Sequence, residues 1–115
     1  MIHTRTARFD LRALERQAEL FQAMASPARI AIMRLLAKGD RSVNEIVESL
    51  SGLASIGSVE RSNISKHLSV LRASGVVSVS GDAQRRIYHL DTPCLVDALD
   101  CVLDGACRPC GRCGT

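Results

Sequence analysis

Apolar positions along the chain fall into blocks whose spacing changes from helical to alternating and back. Leu11, Leu14, Ala18, Phe21 and Ala25 follow one another at intervals of three and four, which draws a stripe along one face of a first helix. Such a stripe packs either on the protein's own core or on a partner helix. Ser26-Pro27 reads as an N-cap followed by a first-turn proline, and Ile30, Ala31, Ile32, Leu35 and Leu36 carry a second helix to a stop at Gly39. Ser42-Val43-Asn44-Glu45 has the form of a capping box, and Ile46, Val47 and Leu50 give a short third helix ending near Ser51-Gly52. Residues 51–61 have turn composition and weak periodicity, and are expected to form a loop with room for one helical turn.

A fourth helix is predicted from about Ser62, with Ile64, Leu68 and Leu71 on one face and Gly75 as its stop. Its other positions, Asn63, Ser65, Lys66, His67, Ser69 and Arg72, are short or cationic hydrogen-bonding side chains. The period then shortens: Val76–Ser80 and Arg85–Leu90 are β-rich runs around Gly81-Asp82-Ala83-Gln84, predicting a hairpin with Arg85 and Arg86 at its tip. Thr92-Pro93 repeats the cap-plus-proline start, and Leu95, Ala98, Leu99 and Val102 stripe a last helix that ends at Gly105. The order predicts a mainly α fold with a small β-hairpin, a winged helix-turn-helix of about five helices plus wing. Residues 1–105 would form this domain and residues 106–115, short and rich in Gly and Cys, a separate tail.

Composition narrows what such a domain could do. The 115 residues are 46% hydrophobic and 23% charged, enough for one core and too apolar for a disordered chain. Aromatic residues are only 3%, so the stacking platform that RNA or single strands require has almost nothing to build with. The net charge of +3 conceals an asymmetry: residues 51–90 hold Arg61, Lys66, Arg72, Arg85 and Arg86 against Glu60 and Asp82, whereas Asp91, Asp97, Asp100 and Asp104 dominate the chain beyond residue 90. A basic middle and an acidic end suit an anionic partner at one place and a cation at another. The N-terminus has no apolar signal segment and no run reaches membrane-spanning length, so the expected compartment is the cytoplasm, with no membrane partner. Thiols there are kept reduced, so the five cysteines, all between Cys94 and Cys113, point to metal or redox chemistry rather than a disulfide framework.

The runs Phe21–Ile30, Ile32-Met-Arg-Leu-Leu36 and Asn63–Val77, the last containing Ser-Lys-His-Leu-Ser-Val-Leu-Arg, resemble the ArsR/SmtB family of bacterial metal-responsive repressors over residues 18–90. The resemblance implies a homodimer that binds double-stranded operator DNA near its own promoter and leaves it when an inducer binds. The residues support this independently, because a major-groove helix needs an apolar face to hold it and a face of short donors and acceptors to meet base edges and phosphates. The candidate DNA-binding residues are therefore Ser62, Asn63, Ser65, Lys66, His67, Ser69 and Arg72, with Arg85 and Arg86 suited to phosphate or minor-groove contact. The stretch 51–61 is longer than the family's usual turn before the recognition helix.

The same resemblance directs attention to two inducer regions. Where arsenite-type members carry Cys-Val-Cys, this chain has Ser42, Val43 and Asn44, and where zinc-type members carry His in the last helix, it has none. In their place stand Cys101 and the continuous Cys107-x-x-Cys110-x-x-Cys113. Two intervening residues let successive sulfurs face one centre, and thiolates select soft or borderline ions. Arg108 and Arg112 favour the thiolate form. A trivalent As(III) or Sb(III) needs three thiolates, which Cys107, Cys110 and Cys113 supply, whereas Cd(II), Zn(II) or Pb(II) would want a fourth ligand such as Cys101 or a partner side chain. An iron–sulfur cluster also takes four, and thiol oxidation could use the same cysteines. A Cys-x-x-Cys oxidoreductase is the remaining alternative, although no βαβ context surrounds the motif. Cys94 is expected to be a small hydrophobe in the helix.

Overall fold

The computed structural model describes residues 9–52 and 60–105. Among these described residues five helices and three short strands follow in the order α1 (Leu11–Met24), α2 (Pro27–Lys38), β1 (Arg41–Ser42), α3 (Val43–Leu50), α4 (Arg61–Ala73), β2 (Val77–Gly81), β3 (Arg86–Leu90) and α5 (Pro93–Asp104). Local chemistry sets several of these boundaries. The Asp10 carboxylate caps α1 by accepting from the Ala13 N–H at 2.7 Å, and Pro27 occupies the first turn of α2 behind the N-cap Ser26. At α3 the predicted capping box forms in both directions: Ser42 Oγ accepts from the Glu45 N–H, and Glu45 Oε1 accepts from the Ser42 N–H.

The strands make one antiparallel sheet in the order β1-β3-β2. The hairpin lies one residue from its predicted position, since the ladder opens at Val77↔Leu90 and continues to Gly81↔Arg86. Gly81 makes this extension possible. Its φ of +94° is in the left-handed region, and a Cβ there would lie 2.0 Å from the Arg85 carbonyl oxygen. Asp82 then organises the tip, its Oδ1 accepting from the N–H groups of Gln84 and Arg85. The third strand, β1, is a two-residue addition that pairs Arg41 with Tyr88 and Ser42 with Ile87. It is too short to carry an alternating pattern and was not expected from the sequence.

Ile32, Met33, Ile46, Ile64, Leu68, Leu71 and Val76 are fully buried, and Leu36, Leu50, Tyr88, Leu90 and Val96 close around them. The inward face of α4 is thus the predicted one, and it fixes which side chains that helix turns outward. For α1 the outcome is different. Its buried residues are Ala23 and Met24, with Leu20 packed beside them, and they lie roughly 130° around the axis from the Leu11–Ala25 stripe at about 100° per residue. That stripe stays in solvent within one chain, with Leu11 71% and Phe21 65% exposed. The end of α5 is likewise open, with Val102 75% and Leu103 76% exposed. An Arg34 to Asp100 ion pair at 2.8 Å holds α5 against α2. No helix among the described residues is long and apolar enough to cross a membrane.

Candidate nucleic-acid interface

Three elements enclose a cleft of about 710 Å³: the start of α3, the outer flank of α4 and the hairpin. Residues 61, 65, 69 and 72 recur at helical spacing, so Arg61, Ser65, Ser69 and Arg72 share one flank of α4 and line the cleft together. Across from them stand Gln84, Arg85 and Arg86 of the hairpin, and Ser42, Asn44 and Glu45 form the third wall. Four arginines therefore face a single carboxylate. Hydrogen bonding with Ser42, through its backbone first and its side chain second, holds the Glu45 carboxyl below its ordinary range, and Arg41 and Arg85 add to the effect.

Of the sequence-predicted residues, Ser65, Ser69, Arg72, Arg85 and Arg86 are brought together in this cleft. Ser62 and Lys66 are exposed on the adjoining outer face of α4, outside the cleft lining, and Asn63 is half-buried. His67 is also half-buried and is engaged from within the protein, its Nδ1 accepting from Arg29 Nε–H at 3.1 Å. Burial and then the Arg29 charge push its pKa below the ordinary value. The sequence had not singled out Arg61, Ser42 or Asn44 for the interface, because their place in the cleft depends on how α3, α4 and the hairpin come together. Arg29 was missed as well, although it left a local signal: a cation in the first turn of a helix opposes the macrodipole, so its presence there points to a tertiary partner.

Cys107, Cys110 and Cys113 lie outside the described residues. Cys101 is half-buried in the last turns of α5, as is Cys94 near its start. The described residues contain no group of three or more His, Cys, Asp or Glu side chains placed to hold a metal ion.

A helix held by its apolar face beside an arginine-tipped antiparallel hairpin can lay short polar side chains against base edges while the hairpin meets the sugar-phosphate backbone. Fold and cleft together define a winged helix-turn-helix DNA-binding domain. Residues 26–79 match the bacterial regulatory proteins of the arsR family. The chain is 42% identical over 83 residues to the uncharacterized HTH-type transcriptional regulator Rv0081 of Mycobacterium tuberculosis, covering 72% of this chain and 68% of that one. It is 35% identical over 77 residues to the HTH-type transcriptional repressor SmtB of the same organism, covering 67% of this chain and 52% of the relative. Among solved structures, the homodimeric winged helix-turn-helix domain of Mb0332 from Mycobacterium bovis superposes with a TM-score of 0.68 at 26% identity, over 79% of this chain and 81% of that one. The crystal structure of Rv0081 superposes with a TM-score of 0.59 at 38% identity, over 76% and 82%. The chain belongs to the ArsR family: it is a DNA-binding transcriptional regulator of winged helix-turn-helix type, not an enzyme.

Proposed function

We propose that the protein is a cytoplasmic homodimeric repressor that leaves its operator when Cys107, Cys110 and Cys113 bind As(III) or Sb(III) as thiolates. The observation that carries this reading is the succession along α5. At the end of α5 Cys101 is half-buried and Val102 and Leu103 are open, and Cys107, Cys110 and Cys113 come next in the sequence. A second copy covering the exposed stripe of α1 and the end of α5 would make the segment of sequence just before these cysteines part of the contact that spaces the two recognition helices. Three thiolates match the ligand number of a trivalent metalloid, whose lone pair takes the fourth direction, and soft sulfur donors fit its chemistry. The inducer must bind the DNA-free form more tightly than the DNA-bound form, because a ligand shifts an equilibrium only by its differential affinity.

A second reading rests on Cys101. With that fourth sulfur a Cd(II) or Zn(II) ion would be completely ligated, and the same cleft and dimer would respond to a divalent metal. Titration of operator binding under strictly reducing conditions with As(III), Sb(III), Cd(II) and Zn(II), and separately with an oxidant, distinguishes the cases. Release by the trivalent species, lost in Cys107→Ser and Cys110→Ser proteins, is expected. Release by oxidant alone, or by As(III) in both variants, would contradict the assignment.

A further inference from the structure

Arg29 touches two elements at once. Its Nη1 donates to the Ala23 carbonyl at 3.0 Å, in the last turn of α1, and its Nε donates to His67 Nδ1 at 3.1 Å, on the recognition helix α4. The first contact is a natural one, since terminal helix carbonyls have no intrahelical partner and a cation there is favoured by the macrodipole. The second is more informative. A guanidinium carries only donors and does not deprotonate in proteins, so a ring nitrogen facing it at hydrogen-bond distance must offer a lone pair. The proton of neutral His67 then sits on Nε2, the nitrogen on the far side of the ring.

We propose that Arg29 is a positioning residue for DNA recognition: through its bond to His67, held as the neutral Nε2–H tautomer, it ties the recognition helix to the end of α1 and so sets how α4 is presented to DNA. The proposal rests on α4 facing DNA. If α1 packs against a second copy, the same guanidinium links the dimer contact to the reading head, so a shift of α1 is felt at His67. A protonated His67 would set donor against donor and cation against cation at this contact. Lys66 adjoins His67 on α4, and Arg16 and Glu19 of α1 line the cleft of about 510 Å³ that Arg29 also borders. Arg29 alone among these groups is hydrogen-bonded to the ring.

The test uses the full-chain protein in two arms. Long-range ¹H–¹⁵N correlation of the histidine rings in the DNA-free protein should show His67 protonated at Nε2 only, and still neutral where His89 has already titrated. Arg29→Gln should give a tautomer mixture and raise the midpoint of His67 toward the ordinary range. An Nδ1–H tautomer in the wild type, or an unchanged His67 in Arg29→Gln, overturns the proposal whatever the DNA partner. In the second arm, operator affinity is measured for Arg29→Gln, His67→Ala and the double variant, with thermal melts confirming that each is folded. Each single change should weaken binding about tenfold, and the pair no more than His67→Ala alone. Fully additive losses would show that Arg29 does not act through His67.

Discussion

Phe21→Ala probes the open face of α1 at its largest side chain. A fully exposed Phe side chain presents roughly 200 Å². Phe21 is 65% exposed in one chain, which leaves roughly 130 Å², or about 3 kcal/mol per protomer at about 25 cal/mol/Å² if a second copy covers it entirely. Both copies contribute across a two-fold contact, whereas incomplete closure and the retained Cβ reduce the effect by about half, so about 3 kcal/mol per dimer is expected. That is about a hundredfold in the dimer dissociation constant. Sedimentation velocity over a dilution series measures it directly, and far-ultraviolet circular dichroism verifies that α1 still forms. Operator affinity should fall in parallel, because a dimer reads two half-sites. A folded Phe21→Ala protein whose dimer dissociation constant stays within twofold of wild type would refute the assignment of this face to a second copy.

Three further outcomes concern the wing, the sheet edge and the core. Replacing Arg85 and Arg86 by Ala removes four cations per dimer, and if each meets a phosphate, the slope of log affinity against log salt becomes shallower by about 3.6; an unchanged slope would remove the wing from the interface. His89 is held above its ordinary 6.5 by its hydrogen bond to Asp40, then by the Asp40 charge, with Asp91 adding. Its stabilisation is therefore fully present below pH 6.5 and is lost as pH rises through the folded-state value, so the melting-temperature advantage of wild type over Asp40→Asn should shrink as pH rises. Leu68→Ala opens a cavity under the recognition helix at a fully buried position and should cost about 2–5 kcal/mol in chemical denaturation.

The parts of the fold that were legible in the sequence are those decided by short-range pattern. Ile64, Leu68 and Leu71 fixed the buried side of α4, and Ser42 with Glu45 fixed the start of α3. Features that could not be read locally depended on partners far along the chain. The stripe of α1 was visible, but not that Leu20, Ala23 and Met24 would take the core side and leave Phe21 outside. The hairpin register moved by one residue because Gly81 extends the ladder to Arg86. Strand β1 exists only through its pairing with Ile87 and Tyr88. The Arg29 to His67 contact joins residues 38 apart, and no periodicity signals it. Of the candidate thiolates, only Cys101 falls among the described residues.

In the proposed mechanism, thiolate ligation and operator binding oppose each other in one dimer. This opposition is tested most directly by measuring the As(III) affinity of the wild-type protein, free and saturated with operator DNA. Linkage requires the two affinities to differ by the same factor by which As(III) weakens operator binding. Tighter As(III) binding to the free dimer by about fivefold or more, abolished in Cys110→Ser, is the predicted result. Equal affinity in the presence and absence of DNA would contradict it.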